Sequence, residues 1–153
     1  MEMTLGVGTP GKDPFGNSTW NILGQTYQAI AVSDRAMLWH ATLPAETFVP
    51  PHVHPTQDEW ITVLSGELEV DFITENGVET MKALPTETAR MPMGLPHGVY
   101  NRSGAEATAV FGVAPTQKLF ELFKAINNVP DPAEVVRLAG LHDVDFLPPL
   151  EGS

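Results

Sequence analysis

Two of the five histidines in the chain, His52 and His54, are separated by a single residue in the stretch PPHVHPTQDEW, residues 50–60. Glu59 closes the same stretch. On an extended strand, residues two apart point to the same face, so the imidazoles can bite one ion. Glu59 has the wrong parity for that face on an unbroken strand. The PTQD segment (55–58) supplies the proline and turn-formers that can restore it. From Glu59 onward, Ile61 and Val63 share its face, which puts a carboxylate at the mouth of an apolar interior. A cation is the natural remedy for a carboxylate so placed. The third candidate is His97. Pro92, Gly94 and Pro96 in MPMGLPHGVYN impose a tight turn just before it, and Gly98 leaves room beside it. Imidazoles with one carboxylate suit zinc, iron, manganese, cobalt, nickel or copper. Three neutral imidazoles and one carboxylate would leave a divalent ion with positions open for chemistry.

The bulk of the chain restricts what such a site could serve. Its 153 residues fit one domain, and 42% hydrophobic content supports a globular fold. The formal net charge of −11 argues against nucleic acid and against anionic membrane as partners. With no cysteine in the chain, disulfides, thiolate ligands and iron–sulfur clusters are excluded. The N-terminal stretch lacks the basic start and apolar run of a signal peptide, and no apolar stretch approaches a membrane span, so a cytoplasmic location is expected.

The elements that must position these residues are mostly strands. Runs at 26–33, 35–43, 59–65, 67–75, 78–84, 98–103 and 107–114 have strand character, and Gly66 joins two of them. Glu75-Asn76-Gly77 is a hairpin signal in which Asn76 and Gly77 can both take positive φ. That many strands with few helical patterns predicts an all-β antiparallel sandwich or barrel. After Pro115 the period changes. Leu119, Leu122, Phe123 and Ile126 mark an amphipathic helix. Asp131, Pro132 and Glu134 announce a second, which Gly140 would stop. The division expected is a β-barrel with an N-terminal arm over 1–115 and a C-terminal helical extension over 116–153, its tail irregular.

Together these pieces resemble the cupin family. His52, His54, Glu59 and Gly66 match the spacing of its first motif, and Pro92, Gly94, His97 and Asn101 that of its second. The leading glycine of each motif is replaced, by Glu46 and by Thr86, which puts the local turn shapes in question. The resemblance implies a small antiparallel jelly-roll β-barrel with two short C-terminal α-helices beside it, and frequent homodimers. It implies one divalent transition metal ion (Fe, Ni, Mn, Co, Cu or Zn) held by His52, His54, Glu59 and His97. Within the family the layout is similar to quercetin-dioxygenase-like proteins. That likeness implies an oxidoreductase acting with O2 on an enolisable small organic or aromatic molecule, with Glu59 as ligand and catalytic base. A non-oxidative isomerase or lyase, and a non-catalytic small-molecule-binding cupin, are the alternatives.

Of the remaining residues, Trp60 should point away from Glu59, toward the helices or a second copy. Met91, Met93, Phe48 and Tyr100 are candidate wall residues. His40 reads as a core histidine, and His142 as exposed. Arg90 and Arg102 flank the second motif and could meet an anionic substrate.

Overall fold

The computed structural model describes residues 7–10 and 18–148. Its strands are β1 (Thr19–Ile22), β2 (Gln25–Val32), β3 (Met37–Leu43), β4 (Phe48–Val53), β5 (Asp58–Ser65), β6 (Leu68–Thr74), β7 (Gly77–Ala83), β8 (Thr88–Met91), β9 (His97–Tyr100) and β10 (Ala107–Ala114). Two helices follow, α1 (Leu119–Ile126) and α2 (Pro132–Gly140), and then a two-residue strand, β11 (Asp145–Phe146). The strands form two antiparallel sheets, ordered β1-β2-β3-β10-β5-β8 and β11-β4-β9-β6-β7. The fold is the expected all-β jelly roll. Its sheets remain two separate ladders rather than closing into one hydrogen-bonded barrel.

Alternation along the strands puts the core between the sheets. Trp39, Ala41 and Leu43 of β3 and Ile61 and Val63 of β5 face Val70 and Phe72 of β6 and Val99 of β9, all buried. Gly66 carries the chain from β5 in one sheet to β6 in the other at φ +73°, where a Cβ would lie 2.7 Å from Glu106 O. In the β6–β7 hairpin only Gly77 of the expected pair takes positive φ, at 107°.

The short strands β1, β4, β8 and β11 escape the sequence pattern. β4 does so because Pro50 and Pro51 lie inside it, and proline ordinarily argues against a strand. They sit where the β4–β9 register shifts by one residue, between the pairs Val49↔Val99 and His52↔His97. A bulge needs no donor there, and the extra residue turns His52 inward. The tail, expected to be irregular, returns as β11 and pairs with β4, placing Phe146 beside His52.

The helices follow their sequence signals closely. Leu119, Leu122, Phe123 and Ile126 form the buried stripe of α1. Asp131 caps α2 by accepting from the Ala133 N–H. Glu134 does not complete a capping box but pairs with Arg137 one turn on. Trp20 of β1 meets the rings of Phe120 and Phe123 at 5.6 and 5.5 Å, so α1 is fastened to the sheet by aromatic contact.

The two turns whose glycines are missing keep the glycine-like conformation. Glu46 has φ +64° and Thr86 φ +75°. A β-branched residue in this region is strained, at about 1–3 kcal/mol. Hydrogen bonds hold the second turn: Thr86 N donates to Val63 O at 2.8 Å, and Val63 N to Glu87 O at 3.1 Å. Thr86→Gly should therefore stabilise the protein by ~0.5–1 kcal/mol, the relief of strain exceeding the added chain entropy. It would appear as a higher urea midpoint at unchanged m-value, and an unmoved or lower midpoint would contradict it.

Candidate metal centre

His52 and His97 are direct partners across the β4–β9 ladder. His54 follows the end of β4, and Glu59 enters from β5 in the opposite sheet, inward with Ile61 and Val63. The turn at residues 55–56 performs the parity change that the sequence required. All four side chains are buried, and one ligand atom from each lies within 4.8 Å of the others. Imidazole centroids are 4.6 Å apart for His52 and His97, 5.0 Å for His52 and His54, and 5.7 Å for His54 and His97.

Each ring is aimed by an acceptor behind it. Nδ1 of His52 meets Pro50 O at 2.8 Å, and Nδ1 of His97 meets Leu95 O at 3.0 Å. Nδ1 of His54 meets Gln57 Oε1 at 2.7 Å. The Gln57 amide cannot be reversed, because its Nε2 donates to Pro115 O at 3.0 Å and Thr116 O at 2.7 Å. These oxygens require Nδ1 to carry a proton, which leaves every Nε2 for the interior, as a metal site demands. Gln57 was not apparent from sequence, where it looked like one more turn residue.

The two motif segments are stitched together by one backbone bond and one bond from backbone to a side chain. Gly94 N donates to His54 O at 3.0 Å, and Met93 N to Asp58 Oδ1 at 2.9 Å. Asn101 is buried and holds the chain around it, donating from Nδ2 to Leu43 O at 2.9 Å and Ala105 O at 2.8 Å.

The electrostatics follow from burial. Burial alone would raise the pKa of Glu59, but His54, His97 and His52 around it outweigh that and bring it down to about 2. His97 shows the reverse balance. Burial lowers it, while the hydrogen bond from its Nε2 to Glu59 Oε1, 3.0 Å long, and the charge of Glu59 raise it above the usual imidazole value. His52, deprived of solvent and facing two imidazoles, falls to about 3. Without an ion, Glu59 is therefore paired with a proton on His97. The nitrogen and oxygen donors, their enclosure and their preset rings fit a divalent transition ion, which would replace that proton.

A cavity opens from this group. It spans about 700 Å³, open solvent at its mouth included, and reaches from His52, His54 and Glu59 to Leu119, Phe123 and Ile126 of α1 and Val135 and Ala139 of α2. The C-terminal helices thus form part of its wall, as does Phe48. Met91 is fully buried beside Glu59, Met93 is exposed, and neither lines the cavity. Trp60 lies exposed on the six-stranded sheet, opposite Gly112 of β10 and Arg90 of β8. The room at Gly98 is taken by the Tyr100 ring, 2.8 Å from where a Cβ would stand. Arg102 is committed to Glu69 at 2.7 Å and Asp71 at 2.6 Å. Arg90 projects beside Trp60. Neither arginine lines the cavity.

Residues 39–113 match the family model for the cupin domain, and the chain belongs to the cupin family. It is similar to germin-like protein subfamily 1 member 1 of Arabidopsis thaliana, at 38% identity over 96 residues, covering 60% of this chain and 44% of that one. The chain spans less than half the length of the curated relatives it matches. Among solved structures, TT1209 from Thermus thermophilus is 28% identical, with a TM-score of 0.56 over 64% of this chain and 90% of that one. The Cnp3 cupin domain of Schizosaccharomyces pombe shares the fold at 13% identity, with a TM-score of 0.57 over 74% of this chain and 79% of that one. Among the described residues, no helix is long and apolar enough to cross a membrane.

Removing the acceptor behind His54 should weaken ion binding without unfolding the chain. Gln57→Leu is expected to lower affinity for Ni2+ or Mn2+ roughly 10–100-fold, read by competition with a chromophoric chelator. Affinity equal to wild type would show that Gln57 does not position the ring.

Proposed function

We propose that this cupin is a metal-dependent dioxygenase acting on a small enolisable organic molecule, with His52, His54, Glu59 and His97 holding one divalent transition ion. The carrying observation is that the buried imidazole–carboxylate group faces an apolar cavity partly walled by α1 and α2. A structural metal site would have no need of such a space. When bound, the ion would supply a Lewis acid for a substrate oxygen and a redox partner for O2.

The chain's own residues supply the rest. His52, His54 and His97 keep fixed orientations through the acceptors on their Nδ1 atoms, so little reorganisation accompanies ligand entry. Glu59 is the one acidic side chain lining the cavity among the described residues, and it is the group we assign as acceptor of the substrate's hydroxyl proton. Phe48, Phe111, Phe123 and Phe146 exclude water from that transfer.

Oxygen uptake by iron-, nickel- and manganese-loaded protein, with flavonols and β-diketones as substrates, tests the assignment. Uptake that depends on substrate and is lost in Glu59→Gln supports it. Substrate turnover under strict anaerobiosis would replace it with an isomerase or lyase, and a retained but unaltered ligand with a binding protein.

The same reading includes a cytoplasmic homodimer. Leu38 and Trp60 lie in one row across β3, β10 and β5 on the outer sheet face, both exposed, and a second copy would cover them. Sedimentation velocity should find a two-copy species, and a single-copy species at every loading concentration would remove the dimer.

A further inference from the structure

On the side of the cavity formed by the six-stranded sheet, two polar side chains interrupt an apolar wall. Gln25 and Tyr27, both on β2, are 2% and 6% exposed and line the cavity. The Tyr27 hydroxyl donates to Gln25 Oε1 at 2.8 Å. Among the described residues the phenol proton has no other acceptor, so this bond decides which way the amide faces. The oxygen is turned to Tyr27, which leaves the NH2 group for the cavity that Gln25 lines. Tyr27 is itself fixed by rings, with Phe123 at 5.2 Å and Phe111 at 6.2 Å. Burial, and then the charge of Glu59, push its pKa up, so the phenol keeps its proton and the orienting bond persists. The indole Nε1 of Trp39, another wall residue, is buried without a partner among the described residues.

Gln25 keeps its amide at the wall of the cavity, and a fully buried donor without an acceptor, as at Trp39 Nε1, is rare in folded proteins and calls for a cause. The rest of the wall includes Ile22, Phe48, Phe111, Phe123, Ile126 and Phe146. No lysine or arginine lines the cavity among the described residues. A ligand with a second negative charge would find no counter-charge there. An uncharged ring would bury its faces against the aromatic side chains.

We propose that Gln25, oriented by Tyr27, is the specificity-determining donor of this cavity, receiving an acceptor oxygen on an uncharged aromatic ligand whose ring lies against the phenylalanine wall. This rests on the reading of the cavity as the substrate site and narrows the substrate to a neutral ring compound bearing a carbonyl, hydroxyl or ether oxygen. Gln25 acts from the sheet opposite His52 and His97 and is not a ligand, so its selectivity does not depend on the ion. Tyr27 is a positioning residue.

A matched pair of probes separates the donor from the ion. Acetophenone and ethylbenzene have nearly the same shape and differ at one oxygen. Their affinities for the full chain, loaded with Ni2+, are measured by ligand-observed NMR on wild type and on the variants Gln25→Leu, Tyr27→Phe and His52→Ala. Wild type should prefer acetophenone by roughly 5–10-fold, the range of one added hydrogen bond. Gln25→Leu should bring the ratio to about 1 without weakening ethylbenzene. Tyr27→Phe keeps the ring and frees the amide to turn, and should lower the preference at least about twofold, which serves if Gln25→Leu does not fold. His52→Ala should lose the ion and keep the preference. Retention of the preference in Gln25→Leu, its loss in His52→Ala, or failure of both probes to bind wild type overturns the proposal. Ion content, measured on the same samples, reports separately on the metal reading.

Discussion

A carboxylate with 4% exposure lies among three buried imidazoles, and the apolar interior offers it no water. Alone, such a charge would cost several kcal/mol, and the group would neutralise instead. The histidines reverse that outcome and hold Glu59 ionised. The arrangement spans both sheets: Glu59 comes from the six-stranded one, His52 and His97 from the five-stranded one. The sheets must therefore keep a fixed separation and register at this point. Their pairing elsewhere, the bulge in β4 and the turn before β5 can all be understood as serving it.

Enforcement is largely by backbone. Gly94 N to His54 O, and Met93 N to Asp58 Oδ1, tie the second motif's turn to the first's. Each imidazole then receives an acceptor from its own neighbourhood, two of them carbonyls two residues upstream. Carbonyls so close in sequence can scarcely move independently of the ring they aim. Only His54 relies on a side chain, Gln57, which is itself anchored from beyond β10.

The convergence of the four candidate ligands was legible in sequence because it depends on residue type and short spacing. The turn at 55–56 and the turn at 92–95 were both readable there, while the bulge that turns His52 inward was not. The amphipathic stripe of α1 was legible for the same reason, with every element of its period local. What escaped depends on partners distant in sequence. β4 hid behind Pro50 and Pro51, since nothing local reveals that their missing donors fall at a bulge. Gln25 and Tyr27 sit in an ordinary alternating strand, and only the arrival of α1, far later in the chain, turns their face into a cavity wall. Glu46 and Thr86 show a turn shape that residue type alone did not settle. Loss of glycine put the turn shapes in question, yet both residues keep positive φ inside turns closed by Thr47 N to Pro44 O and Glu87 N to Leu84 O.

Gln57 touches two parts of the molecule at once. Its oxygen sets the His54 ring, and its nitrogen grips the carbonyls of Pro115 and Thr116, just ahead of α1. One amide thus joins the turn that ends the first motif to the segment that leads into the helical wall, and Thr116 is held there in turn by Asp34 O and Ser33 O. The aim of the His54 ring is therefore fixed by chain more than fifty residues away, and not by its own strand alone.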